Sequence, residues 1–166
     1  MQNILDSIYL KQNALCNCGP VAIMNIFCHA GYPVHLRGEL YKHVCKSLKF
    51  NPKTGCPAGG LHPTLCELGF KVKCIFNPSI ERLEDELYQG NIIVLSYPIY
   101  PKSLTWHISL LIDQTLNSFL TVNDGIRRGQ NIQYISKNYY RKRFVPEFRG
   151  PYSVRALIIT GKKYVK

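Results

Sequence analysis

The run Val21-Ala22-Ile23-Met24-Asn25-Ile26-Phe27-Cys28 constrains the fold of this chain more than any other stretch. It is apolar nearly all round, so a helix formed here must be covered on every side and sit inside a core. Cys18-Gly19-Pro20 opens it. Proline suits the first turn of a helix, where its missing N–H leaves nothing unsatisfied. Ala30-Gly31-Tyr32-Pro33 closes it, with glycine as the C-terminal cap and proline beyond. The pattern predicts a buried helix over Pro20–His29, with Cys18 at or just before its N-terminus. The partial positive charge at that end favours a thiolate and is expected to lower the cysteine's pKa.

Around this helix the pattern gives more helices first and strands later. Leu36, Leu40, Val44 and Leu48 fall at steps of four and predict a second helix over 36–48. Asn51 to Gly60, rich in glycine and proline, reads as a loop, including its Gly59-Gly60 pair. A short helix over 62–68 follows, then an alternating strand over 70–76. Ser79 is the N-cap of another helix, with Glu81, Glu84 and Asp85 in its early turns and Gly90 at its end. Strands are expected at 91–97, 106–112, 118–122 and 152–160, a basic helix over 135–144, and a short edge strand over 4–10. Asn123-Asp124-Gly125 is a tight turn. This order is that of an α+β domain with segregated layers, a helical layer packed on an antiparallel sheet.

The 166 residues fit one domain spanning 1–166. No apolar run is long enough to cross a bilayer, and the first ten residues lack the basic and apolar regions of a signal peptide. The expected compartment is therefore the cytoplasm, or a host cell reached without a classical signal. Seven cysteines cannot all pair within the chain, and reduced thiols are the expectation. Their spacing with the histidines gives no two clean C-x-x-C pairs, so neither a metal nor another cofactor is expected. Lys and Arg number 21 against 10 Asp and Glu, a net charge of +11 that implies an anionic partner.

A thiol nucleophile needs a base within hydrogen-bond reach. His29 lies about three turns along the helix from Cys18 and cannot face back to it. His107 opens a buried strand directly after Trp106, and the next strand ends in Asn123-Asp124. Antiparallel neighbours joined by a short turn place the start of the first beside the end of the second. His107 and Asn123 or Asp124 should therefore meet as a base and the group that fixes its tautomer. Gln12, six residues before Cys18, is placed to donate to an oxyanion alongside a backbone N–H at the helix start. Cys16 is the rival nucleophile, outside the helix dipole.

Gln12-x5-Cys18-Gly19, the apolar helix, the Trp106-His107 strand start and the Asn123-Asp124-Gly125 turn resemble the papain-like fold. They most resemble the bacteriocin-processing, double-glycine peptidase family and its stand-alone relatives. The resemblance implies Gln12 in the oxyanion hole, Cys18 as nucleophile, His107 as general base, and Asn123 or Asp124 completing the triad. It implies cleavage of a peptide or isopeptide bond, after glycine if the family preference carries over. Asn17 stands where the family commonly has aspartate. Family chemistry favours Asp124 as third member and spacing favours Asn123, so both stand.

The net charge leaves room for an acidic polypeptide substrate. It also supports a different class of function. Between 134 and 149, Tyr139, Tyr140, Phe144 and Phe148 interleave with Lys137, Arg141, Lys142, Arg143 and Arg149. Aromatics and cations so arranged fit single-stranded nucleic acid, and a catalytically silent basic binding module is the alternative to the hydrolase.

Overall fold

A computed structural model of the chain describes residues 9–12, 16–57, 59–98, 106–123, 131–144 and 154–160. The apolar run forms helix α1, Cys18–His29, buried along nearly its whole length. Gly31 takes a positive φ of 85° just past its end, the left-handed conformation that ends a helix with least strain in glycine. Next come α2, Glu39–Ser47, and α3, Leu61–Glu67. Strand β1, Lys71–Phe76, leads into α4, Ile80–Tyr88, whose cap Ser79 accepts from the Arg82 N–H at 3.1 Å. Then follow β2, Ile92–Pro98, β3, Trp106–Gln114, β4, Ser118–Val122, β5, Ile132–Ser136, α5, Lys137–Arg141, and β6, Arg155–Thr160.

The strands form one six-stranded antiparallel sheet in the order β1-β6-β2-β3-β4-β5. Two cores flank it. One packs Ala22, Ile23, Met24 and Ile26 of α1 against Val94, Leu110 and Leu157, with Val44 and Leu65 from α2 and α3. The other packs Leu83 of α4 and Tyr140 of α5 against Ile93, Leu95, Tyr97, Leu111 and Phe119. Period-two alternation along each strand sends successive side chains to one core and then the other.

The basic helix expected over 135–144 is corrected. Ile132–Ser136 is the sheet's edge strand, paired with β4 from Ser118↔Ser136 to Val122↔Ile132, and the helix is only Lys137–Arg141. Ile135 sat at the junction of two patterns, and the strand's short apolar content did not mark it. The segregation of layers also needs amendment. Helices α1 to α3 form the expected layer on one face, while α4 and α5 cover the other. The edge strand expected over 4–10 lies largely outside the described residues; Tyr9 and Leu10 are not in a strand.

Candidate functional site

Cys18 is the first residue of α1, and helix packing brings that end of α1 to the start of β3. The Cys18 thiol is hydrogen-bonded by the backbone N–H of Ile108, the residue after His107. Gly19 leaves room for the Cys56 thiol. A Cβ there would lie 2.7 Å from Cys56 Sγ, so a side chain would force the helix end and Cys56 apart, whereas its 3.5 Å to Ile108 Cδ1 on the strand is ordinary contact.

The electrostatics differ from the expectation of a lowered pKa. Burial pushes the Cys18 thiol up, and the backbone N–H groups of Ile108, Gly19 and Cys18 itself oppose that rise without overcoming it. A helix terminus contributes partial charges, whereas removing a thiolate from water costs more than those return. The neighbouring Cys56 is pushed up to about 12 by burial and by the nearby Cys18 and Cys45 thiols. Burial thus favours the protonated form of the Cys18 thiol.

His107 is 5% exposed, with its ring edge-on to Tyr97 at 5.9 Å between centroids. Its Nε2 lies 2.6 Å from the main-chain carbonyl oxygen of Asn123. A carbonyl can only accept, so Nε2 carries a proton and donates it, which leaves Nδ1 as the basic nitrogen. Asn123 holds that carbonyl through a left-handed backbone, φ 71°, which asparagine tolerates better than most residues. The Asn123 side-chain amide is buried, and neither of its polar atoms has a partner among the described residues. Asp124 lies outside the described residues.

The pleat places the Cys18 thiol and the His107 imidazole on different sides of the backbone. Ile108 turns toward α1, and His107 leaves the strand on the side of Tyr97. The thiol and the imidazole thus lie at the first residues of β3 on opposite pleats.

Gln12 follows a segment anchored to α1 by a residue the sequence reading passed over. Asn25, fully buried and two turns beyond Cys18, holds both backbone groups of Leu10. Its Oδ1 accepts from the Leu10 N–H at 2.7 Å, and its Nδ2 donates to the Leu10 carbonyl at 3.0 Å. Asn131 Nδ2 donates to the Tyr9 carbonyl at 2.9 Å, and the Tyr9 hydroxyl meets His29 Nδ1 at 2.7 Å. Two residues beyond Leu10, the Gln12 side-chain oxygen is out of solvent. A polar asparagine inside an otherwise apolar helix was the available signal.

Asn17, where the resembling family commonly has aspartate, is 3% exposed and hydrogen-bonds the Tyr41 side chain. A neutral amide fits that depth at far lower desolvation cost than a carboxylate. Cys16 lies in the preceding loop, its thiol donating to the Lys53 carbonyl at 3.4 Å. No group of three histidine, cysteine or acidic residues converges as a metal site among the described residues.

Of the basic segment, Phe148 and Arg149 lie outside the described residues, and three of its described cations contact the fold. Lys137 is buried and pairs with Glu84 at 2.6 Å, Arg141 reaches Glu81 at 3.5 Å, and Arg143 stacks 3.5 Å over the Tyr139 ring. Tyr140 is fully buried and offers no face for stacking a base. No helix among the described residues is long and apolar enough to cross a membrane.

No protein-family model matches the sequence, and no curated protein matches it. Solved structures do. The peptidase domain of Streptococcus ComA, a bifunctional ABC transporter of a quorum-sensing pathway, superposes with a TM-score of 0.61 at 16% identity. That match covers 92% of this chain and 97% of the other. A Bacillus anthracis protein described as a C39-like peptidase gives 0.61 at 12% identity, over 95% and 98% of the two chains. With matches across nearly the full length of both, the chain has the papain-like α+β fold of the C39 peptidases.

Proposed function

We propose that this protein is a cysteine peptidase in which Cys18 is the nucleophile and His107 the general base. The observation that carries the reading is the junction of α1 and β3, where the Cys18 thiol is bonded one residue from His107 and His107 has its Nε2 proton held by Asn123. In the proposed cycle Nδ1 of His107 takes the thiol proton, and the sulfur attacks the carbonyl carbon of a peptide or isopeptide bond. The oxyanion is received by the Gln12 side-chain amide and the Cys18 N–H. The imidazolium then protonates the leaving amine, which departs and leaves a thioester. Water, deprotonated by the same ring, cleaves that thioester and regenerates the thiol.

The third role falls to Asn123 or Asp124. Asn123 supports the ring through its main-chain carbonyl, and its buried amide lies in the same turn. Glycine before the cleaved bond is the preference that the C39 likeness brings to the proposal. An amidase or acyltransferase would use the same groups, because a triad fixes the chemistry and leaves the substrate open.

The test is thiol labelling combined with peptide turnover. A substoichiometric electrophile should modify Cys18 selectively among the seven cysteines, and His107→Ala should abolish that selectivity. Uniform labelling, or none at Cys18, overturns the proposal. Salt-sensitive nucleic-acid binding that survives Cys18→Ala, with no turnover, would point to the basic binding module instead.

A further inference from the structure

One strand away from the nucleophile, on the same face of the sheet, a groove opens between the entry of α3 and strands β2 and β6. Val94 and Leu157 form its floor, Ser96, His62 and Arg155 contribute polar groups, and Gly59 stands at its rim. Strand register relates it to Cys18. Ile108, whose N–H bonds the thiol, is paired with Ser96, and Ser96 with Arg155. Adjacent strands lie about 4.8 Å apart, so Ser96 is about 5 Å and Arg155 about 10 Å across the sheet from the nucleophile's anchor. An extended peptide advances about 3.4 Å per residue. The groove is thus within reach of a side chain about two or three residues from a bond attacked by Cys18.

Its chemistry selects the occupant. The floor is aliphatic and suits a methylene stem. Above it stand a guanidinium and an imidazole, and no carboxylate is among the lining residues. A guanidinium fork matches a carboxylate in two parallel hydrogen bonds, whereas a lysine or arginine side chain would meet like charge. Phe76 supports the Arg155 head, with the guanidinium carbon 5.3 Å from the ring centroid, and Cys74 lies nearby, its thiol pushed up by burial against the opposing pull of the Arg155 charge. The net charge of +11 favours acidic polypeptides as partners of the protein as a whole.

We propose that this groove is a substrate subsite that takes an aspartate or glutamate side chain about two or three residues from the cleaved bond. This rests on the cysteine-peptidase reading above and names its substrate class.

Two assays on the full chain test it separately from that reading. The first is cleavage-site profiling of a proteome-derived peptide library by the wild-type protein and by Arg155→Glu, with circular dichroism confirming that the variant folds. The wild type should enrich Asp or Glu at one fixed position, by about ten- to a hundredfold for one charge-assisted pair, and Arg155→Glu should move that preference to Lys or Arg. Gly59→Phe should fill the groove and remove the acidic preference. A Cβ at Gly59 meets nothing within 4 Å, so this variant adds no clash at the backbone. The second assay measures binding of a glutamate-scanned peptide array to Cys18→Ala, with and without Arg155→Glu. Cleavage with no acidic position enriched, or a preference unchanged in Arg155→Glu, overturns the subsite while leaving the peptidase. Absence of cleavage together with Arg155-dependent binding of glutamate peptides overturns the peptidase while leaving the subsite. Absence of both overturns both.

Discussion

On the face of the sheet that carries α1, polar contacts within the core are made by neutral groups. Asn25 clasps the Leu10 backbone, Asn17 bonds Tyr41, and the thiols of Cys18, Cys45 and Cys56 lie close together. On the opposite face the helices are held by ions. Glu86, 3% exposed, takes Arg82, Lys73 and the Asn91 amide; Glu84 takes Lys137; Glu81 takes Arg141. The back face therefore uses much of the basic character of α5 in holding the fold. The front face has no buried ion pair among the described residues, so a thiolate formed at Cys18 would be largely withdrawn from water with no buried lysine or arginine beside it to offset its charge. That explains why burial dominates the thiol's pKa, and why the proposed mechanism depends on a proton acceptor at the start of β3 rather than on the helix terminus.

The contrast can be broken most severely at the nucleophile. Cys18→Ala should reduce peptide turnover by at least about a thousandfold while changing stability by less than about 1 kcal/mol, as thermal unfolding would show. The amide clasp ranks next. Asn25→Leu keeps the volume but leaves the buried Leu10 N–H and carbonyl without partners, and should cost about 2–4 kcal/mol in denaturant unfolding. It should also lower turnover, because the segment leading to Gln12 loses its anchor.

The ions of the back face should respond to pH, and the amides of the front face should not. Burial pushes the Glu86 carboxyl up, but Asn91, Lys73 and Arg82 together hold it below the ordinary carboxylate value. A depressed folded pKa gives stability that is full above the unfolded value of about 4.3 and is lost as pH falls through the folded value. Glu86→Gln should thus be destabilised by about 1–2 kcal/mol at neutral pH, and the difference should close on acidification. The exposed pair sets the lower limit. Arg141→Ala removes only the 3.5 Å contact to Glu81, and should move stability by no more than about 0.5 kcal/mol, less in high salt.

The front face was largely legible from the chain. An all-round apolar run with Cys-Gly-Pro at one end can hardly be anything but a buried helix with Cys18 at its start. Glycine and serine punctuation located α4 and its Ser79 cap. The short strand Ile132–Ser136 was not legible, because its pairing with β4 is a long-range contact and its flanks read as helix. The hydrogen-bond partner of His107 was half legible. Strand order put His107 beside Asn123, but a side-chain contact was the natural expectation, whereas a left-handed φ at Asn123 presents its main-chain carbonyl. The pKa of Cys18 was misjudged because a helix end is visible in sequence and depth of burial is not.

In the proposed mechanism His107 makes a thiolate of a cysteine that burial alone would keep protonated. The pH profile of Cys18 alkylation by iodoacetamide, in the wild type and in His107→Gln, tests it most directly. Cys18 should react already at about pH 6 in the wild type and only at clearly alkaline pH in the variant. Identical alkaline profiles in the two proteins would contradict it.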